Sequence, residues 1–209
     1  MKNKNQINPY DICTWRPISE CNNCTLKGYL KCHFKKKNLL NFIGLFLLFA
    51  IPAFAGVIIA DYGWYLLGWI AFWIFFFEFW EIRILCSHCP FYAEKGRFIH
   101  CFGNYKSLKV WKYHPEPISR SEKIQLLIGF LIFFGYPYIF MILGKQYVFI
   151  ILTSIGLIIF LGVLIKRRCA KCINFSCIFN RVPKEVVDEF LNKNPIMKEA
   201  WEKAGYRLS

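Results

Sequence analysis

The sequence predicts an all-α integral membrane protein with four transmembrane helices in two tight hairpins, a cysteine-rich cytosolic head and a short C-terminal helical hairpin. Two observations support this fold class. The 209 residues are 56% apolar yet carry a net charge of +14, so the chain must divide between lipid and water. All ten cysteines lie in the three polar segments that flank four long apolar stretches.

The four apolar stretches are each long enough to cross a membrane. A bilayer core about 30 Å thick requires about 20 apolar residues in a helix that rises 1.5 Å per residue. Residues 39–60, 64–85, 124–143 and 147–165 meet this length. Three residues join the two members of each pair, so the sequence predicts two helical hairpins, 39–85 and 124–165, with no room for a domain at either tip.

The basic residues predict the orientation. Residues 1–38, 86–123 and 166–209 contain eight, seven and ten Lys and Arg residues, whereas Lys145 alone lies at the opposite tips. Basic residues near membrane ends stay cytosolic and attract anionic headgroups. We therefore expect a multi-pass protein of the cytoplasmic (cell) membrane, with both termini cytosolic and an anionic lipid bilayer as a partner. Topology alone explains the positive charge, so no nucleic acid is expected. Residues 1–38 are polar, so no signal peptide is expected.

The cysteines form three groups of similar spacing. These groups are Cys21-x-x-Cys24 with Cys32, Cys86-x-x-Cys89 with Cys101, and Cys169-x-x-Cys172 with Cys177; Cys13 stands outside them. In a reducing cytosol such thiols favour metal ligation over disulfides. Zinc takes four sulfur or imidazole ligands, and a Cys-x-x-Cys turn delivers two of them. His33, beside Cys32, and His100, beside Cys101, complete two of the predicted zinc sites. Alternatively, the pairs share ions between segments, and the spacing does not choose.

Three functions follow from these motifs. The first is a rigid platform for a partner protein or a second copy of the chain, held by structural zinc. The second is a membrane redox subunit with cysteine-bound iron-sulfur clusters, although the ferredoxin spacing Cys-x2-Cys-x2-Cys-x3-Cys-Pro is absent. The third is a metal-ion sensor or transporter assisted by Glu78 and Glu81, carboxylates near the cytosolic end of the second span that otherwise serve as interfacial anchors. No phosphate-binding loop or hydrolase motif is present, and the sequence does not decide whether the chain is an enzyme.

The remaining polar elements flank the cysteines. Residues 86–123 interleave aromatic side chains with Lys and Arg, which suits a surface at the headgroup level or a small core on a metal. Ser119 and Glu122 form a predicted capping box at the start of the third span. In residues 166–209, Pro183 opens a predicted helix, and Asn194 and Pro195 begin a second one. We expect this helical pair to pack over the cysteine sites rather than to dock a partner.

Overall fold

The protein is all-α in the computed structural model, which describes residues 8–209. Residues 1–7, part of the first predicted cytosolic segment, lie outside the described residues. Eight α-helices follow one another along the described chain, and it contains no β-strand: α1 (Lys36–Ile59), α2 (Tyr65–Phe75), α3 (Glu81–Ile84), α4 (Pro90–Ala93), α5 (Arg120–Leu143), α6 (Tyr147–Val163), α7 (Lys184–Asn192) and α8 (Pro195–Lys203).

Three helices in residues 8–209 are long and apolar enough to cross a membrane: α1, α5, and the helix Tyr147–Lys171 that begins with α6. The second predicted span is helical from α2 to α3, but a π turn at Phe76–Trp80 interrupts its α-helical hydrogen bonds. Large apolar side chains on the long helices are exposed, such as Leu131 at 64% and Ile158 at 71%. Such a surface is compatible with lipid rather than water.

Helix α1 packs closely against α6 at a proline. Pro52 has no N–H, so the carbonyl of Leu48, four residues earlier in α1, lacks its usual helical partner. Gly156 of α6 lies directly against this carbonyl, and a Cβ at this position would overlap the Leu48 backbone. Close approach of backbones at small residues is a common way for membrane helices to associate.

A second proline explains the contact between α2 and α5. Pro137 leaves the carbonyl of Phe133 without an intrahelical donor. The indole Nε1 of Trp69 donates a hydrogen bond to this oxygen over 2.9 Å, and Trp69 is only 2% exposed. The freed carbonyl is thus satisfied by a neighbouring helix, as backbone inside a bilayer requires.

The predicted capping box at the start of α5 is confirmed. The Ser119 side chain accepts from the backbone N–H of Glu122, and the Glu122 carboxylate accepts from the backbone N–H of Ser119 over 2.7 Å. Because this box satisfies the first free N–H groups, α5 begins at Arg120, four residues before the predicted apolar span.

The helical pair α7–α8 is held by buried side chains and one carboxylate. Phe190 and Trp201 pack in one core with Leu26 of the amino-terminal segment. Asp188, only 5% exposed, accepts hydrogen bonds from the Lys184 ammonium (2.7 Å) and the Tyr206 hydroxyl (2.8 Å). The pair therefore packs on the segment that contains the first cysteine group.

Candidate functional site

Each Cys-x-x-Cys pair forms the same tight turn. The N–H of the second cysteine donates to the carbonyl of the first over 3.2 Å in Cys21–Cys24, 2.9 Å in Cys86–Cys89 and 3.4 Å in Cys169–Cys172. The second and third pairs occupy 3₁₀ turns directly after α3 and after the π turn Leu164–Arg168 that follows α6. Two helical segments of the bundle thus each end in a cysteine pair.

Six cysteines line a single cavity of about 320 Å³, which we call the six-cysteine cavity. They are all members of the second and third groups: Cys86, Cys89, Cys101, Cys169, Cys172 and Cys177. The spacing in the sequence leaves open whether each group binds its own ion or pairs from different groups share ions. In the structure the two segments, more than 60 residues apart in the chain, meet around one space.

The six-cysteine cavity extends into the helical bundle. Its lining includes aromatic side chains from four helical segments, namely Phe42, Phe46, Trp73, Phe77, Phe130, Phe133, Phe134 and Phe160. Four polar side chains share the lining: Glu78, Glu81, Asn104 and Asn174. A largely apolar cavity with a few polar groups is the usual composition of a ligand site.

Asn104 links a cysteine to a carboxylate at the cavity wall. Its side-chain amide donates to Sγ of Cys86 over 2.8 Å and to Oε2 of Glu81 over 3.2 Å. Glu81 is 8% exposed, whereas Glu78 is exposed. The Arg83 guanidinium lies over the ring of Trp80, 5.6 Å from its centroid, instead of pairing with either glutamate.

Burial raises the pKa of all six cavity thiols, which favours their neutral form. Burial raises the pKa of Cys89 well above its ordinary value, and the neighbouring thiols of Cys101 and Cys172 raise it further. Burial likewise raises the pKa of Cys177 to about 12, with Cys169 adding to the effect. Thiolates so close together repel each other, so a cation that replaces their protons would bind with proton release.

A second group of thiols lies in the amino-terminal segment. Sγ of Cys21 is 3.5 Å from Nε2 of His33, one of the residues predicted to complete a zinc site. Burial raises the pKa of Cys32 to about 12, and Cys13, Cys21 and Cys24 are the neighbouring thiols that raise it further. Cys13, which spacing leaves outside the groups, packs against the same hydrophobic core as Cys24 and Cys32.

Two histidines near the central cysteines are engaged elsewhere. His100 lies with Nδ1 3.6 Å from Oε2 of Glu94, its side chain is 45% exposed, and it is not part of the lining of the six-cysteine cavity. His88 is buried, and its Nδ1 is 2.7 Å from the carbonyl oxygen of Glu116. Of the two histidines predicted to complete zinc sites, His33 lies beside a cysteine sulfur of its group, whereas His100 lies beside Glu94.

The thiols are neighbours rather than a finished metal site. All ten cysteines are free, and among residues 8–209 no three His, Cys, Asp or Glu side chains already have the spacing that holds a metal ion. A metal ion that bound to these thiols would have to displace their protons.

Comparisons with known proteins identify no relative, since no protein-family model, curated protein or solved structure matches the chain. The chemistry of the site is therefore inferred from its residues.

Three asparagines that the sequence prediction lacks contact the cysteine segments: Asn104, which is half-buried, and Asn174 and Asn194, which are buried. Asn104 bonds to Cys86, Asn174 donates to the carbonyl of Leu85 over 3.1 Å, and Asn194 accepts from the N–H of Cys13 over 2.7 Å. Asn104 and Asn174 lie three and two residues after a cysteine of the motifs, which is the signal available in the sequence. Asn194 has no such signal.

Proposed function

We propose that the six-cysteine cavity holds an iron-sulfur cluster and that the protein is a membrane redox subunit. The observation that carries this proposal is that six thiols from two segments line one cavity of about 320 Å³, which continues between aromatic side chains into the helical bundle. A cavity of this kind connects a cysteine-bound redox centre with the apolar phase.

The apolar lining favours a redox cluster over a structural zinc ion. The six cysteines share their cavity with aromatic side chains from four helical segments, so a centre bound at the thiols would lie beside an apolar space. A structural zinc site is closed by its four ligands and needs no such space. Iron-sulfur clusters take cysteine thiolates as ligands and carry electrons.

We also propose that the helical segment α2–α3 crosses the membrane, which makes four crossings in two hairpins. In support, this segment and its π turn are continuous from Tyr65 to Ile84, about the length that a bilayer requires. The cysteine segments then form one head on the cytosolic side. Direct contacts support such a head: the Lys31 N–H donates to the Lys171 carbonyl over 2.9 Å, and Cys89 packs in the same core as Leu26.

In this proposal the protein would pass electrons between the cytosol and the lipid. A bound cluster would supply one-electron chemistry, so that two electrons from a soluble donor protein, with two protons from water, would convert a lipid-soluble quinone to the hydroquinone. The chain's own residues would hold the cluster by the cavity thiols, exclude water with the aromatic rings and donate a hydrogen bond from Asn104 to the Cys86 sulfur.

Two rival functions use the same residues. Structural zinc in a platform for a partner protein is supported by the three Cys-x-x-Cys turns, which share the same backbone hydrogen bond and suit tetrahedral thiolate sites. Metal transport or sensing is supported by Glu78 and Glu81, which line the same cavity as the six cysteines. Neither rival requires aromatic side chains around the cavity.

Metal analysis separates the three. We expect full-length protein purified without oxygen to contain iron and acid-labile sulfide, and to lose both in Cys101→Ser and Cys172→Ser. Cys13→Ser is the matched control, because Cys13 lies outside the cavity, and it should keep its iron. Zinc in place of iron at these cysteines would favour the platform. Metal flux into vesicles that stops in Glu78→Gln and Glu81→Gln would favour transport. Either result contradicts the redox proposal.

A further inference from the structure

Residues 95–112, which we call the basic loop, follow α4 and turn an apolar face outward. An antiparallel bridge pairs Phe98 with Leu108, and the N–H of Ile99 donates to the carbonyl of Ser107 over 2.9 Å. Ile99 and Ser107 are buried. By contrast, Phe98, Leu108 and Val110 are 46%, 49% and 57% exposed. Because side chains alternate between the two faces of paired extended chains, one face of the loop packs on the protein and the other presents large apolar side chains.

Basic side chains flank this apolar face along the chain. The basic loop contains five Lys and Arg residues and no Asp or Glu. Four of the five are exposed and form no ion pair with any residue in 8–209: Lys95, Arg97, Lys106 and Lys112. Exposed apolar patches with polar rims mark membrane or protein interaction sites, and unpaired cations complement the anionic headgroups of a membrane.

A series of stacked side chains connects the basic loop to the exposed apolar surface of α2. The ring of Phe75, which is 53% exposed, stacks on Trp80 with the ring centroids 6.0 Å apart. The Arg83 guanidinium lies 5.6 Å from the Trp80 centroid and 5.3 Å from the Trp111 centroid. The Tyr92 hydroxyl holds Trp111 in place, because it donates to the Trp111 carbonyl and accepts from the Trp111 N–H, both over 2.9 Å. Tryptophan and arginine are side chains that suit the boundary between lipid and water.

From these observations we propose that the basic loop binds the anionic headgroup layer of the membrane, with Phe98, Leu108 and Val110 inserted among the headgroups. The Lys and Arg side chains of the loop then lie at the lipid phosphates. Cys101 and Asn104 belong to the same loop and line the six-cysteine cavity, so lipid that holds the loop also holds this wall of the cavity. The proposal rests on the proposed crossing of the membrane by α2–α3, but not on the redox function.

A bilayer fits this surface better than a second protein. The basic loop leads into α5, one of the helices long and apolar enough to cross a membrane, so headgroups are within reach of the loop. A protein partner would have to supply both an apolar face and several carboxylates at the same place. Anionic lipid supplies apolar chains and negative charge together.

Photolabelling from the lipid tests this contact. Full-length protein is placed in phosphatidylcholine vesicles with or without phosphatidylserine, and both contain a trace of phosphatidylcholine with a diazirine near the glycerol. We expect labelled peptides within residues 95–112, with more label when phosphatidylserine is present. Lys106→Gln should reduce this preference about fivefold, which corresponds to the roughly 1 kcal/mol that one cation contributes at an anionic surface.

The apolar face has its own variant and a matched control. Leu108→Ser combined with Val110→Ser should lose the label in both kinds of vesicle. Ile18→Ser is the control, because Ile18 is 66% exposed in the amino-terminal segment, and it should leave the label in residues 95–112 unchanged. No label in these residues of the parent protein, or equal label in the two kinds of vesicle, would overturn the proposal.

Two further measurements separate this proposal from its alternatives. A parent protein that is dimeric in detergent and becomes monomeric when Leu108 and Val110 are replaced by serine would assign the apolar face to a second copy of the chain and overturn the proposal. Iron content is measured on the same samples. Protein that contains iron but lacks the lipid label contradicts this proposal alone. Protein that is labelled by lipid but contains no iron supports this proposal and contradicts the redox function alone.

Discussion

The side-chain amide of Asn104 donates a hydrogen bond to the thiol of Cys86 over 2.8 Å, at the wall of the six-cysteine cavity. The same nitrogen lies 3.2 Å from the Glu81 carboxylate, so its two hydrogens can both be used. Hydrogen bonds to ligand sulfur stabilise the more electron-rich state of a cluster and so raise its reduction potential.

Replacing Asn104 with leucine keeps the side-chain size and removes the donor. We expect the reduction potential to fall by about 40 mV, since one hydrogen bond contributes about 1 kcal/mol and a tenfold change in a one-electron equilibrium is 59 mV. A redox titration followed by visible absorbance measures the shift. Asn192→Leu, at an exposed position, is the control. An unchanged reduction potential with full iron content would show that the Cys86 sulfur does not contact the cluster.

Gly156 allows α6 to approach the backbone of α1. A Cβ at this position would overlap the carbonyl of Leu48, whereas a Cβ at Gly162 of the same helix would meet no atom within 4 Å. We expect Gly156→Ala to destabilise the folded protein by about 1–3 kcal/mol, the usual cost of overpacking. Thermal unfolding in detergent provides the measurement, and Gly162→Ala should match the parent protein. Equal melting temperatures for the two variants would contradict the close contact.

Asp188 predicts a dependence of the α7–α8 packing on pH. Burial opposes its charge, but hydrogen bonds from Lys184, Ser209 and Tyr206 outweigh this effect and lower its pKa. A lowered folded pKa stabilises the protein above the unfolded pKa of about 3.9. That stability is lost as the pH falls from about 4 through the folded pKa.

Hydrogen exchange of residues 184–203 against pH measures this loss. The parent protein should lose protection below about pH 4. Asp188→Asn should be less protected at neutral pH and show a smaller further loss in acid. Glu199→Gln is the control, because Glu199 forms only an exposed pair with Lys203 and should leave the profile unchanged. If Asp188→Asn lost hydrogen-exchange protection in acid as the parent protein does, a group other than Asp188 would cause the loss.

The proposed orientation predicts which thiols a membrane-impermeant maleimide reaches. On intact cells the parent protein should remain unlabelled, because all ten cysteines face the cytosol. Lys145→Cys, at the connection between α5 and α6, should be labelled from outside. Labelling of the parent protein in intact cells would contradict the proposed orientation. A lack of labelling of Lys145→Cys would also contradict it.

Local signals in the sequence predict much of the fold. Apolar length identifies α1, α5 and α6, and the Ser119–Glu122 capping box marks the start of α5. The π turn at Phe76–Trp80 has no such signal; its first residue, Phe76, packs edge-to-face on Phe130 of α5. The sequence also does not indicate that Gly156 lies against the Leu48 carbonyl, because this contact depends on the packing of α1 on α6.

The sequence predicts which cysteines form the candidate site but not how they are arranged in space. The Cys-x-x-Cys spacing identifies residues that a local turn brings together, and the structure has that turn in all three pairs. Spacing carries no information on contacts between distant segments, so it does not predict that Cys101 and Cys172 share a cavity or that Cys13 packs on the same core as Cys32. Long-range packing of the helices decides both.

Electron transfer to a lipid-soluble acceptor tests the redox proposal most directly. Full-length protein in lipid vesicles is reduced chemically, and the visible absorbance of the cluster is followed after a long-chain quinone is added to the membrane. We expect the absorbance of the oxidised cluster to return as the quinone becomes hydroquinone, and no such change in Cys101→Ser. A cluster that stays reduced in the presence of quinone, or protein without visible absorbance at any stage, would contradict the account.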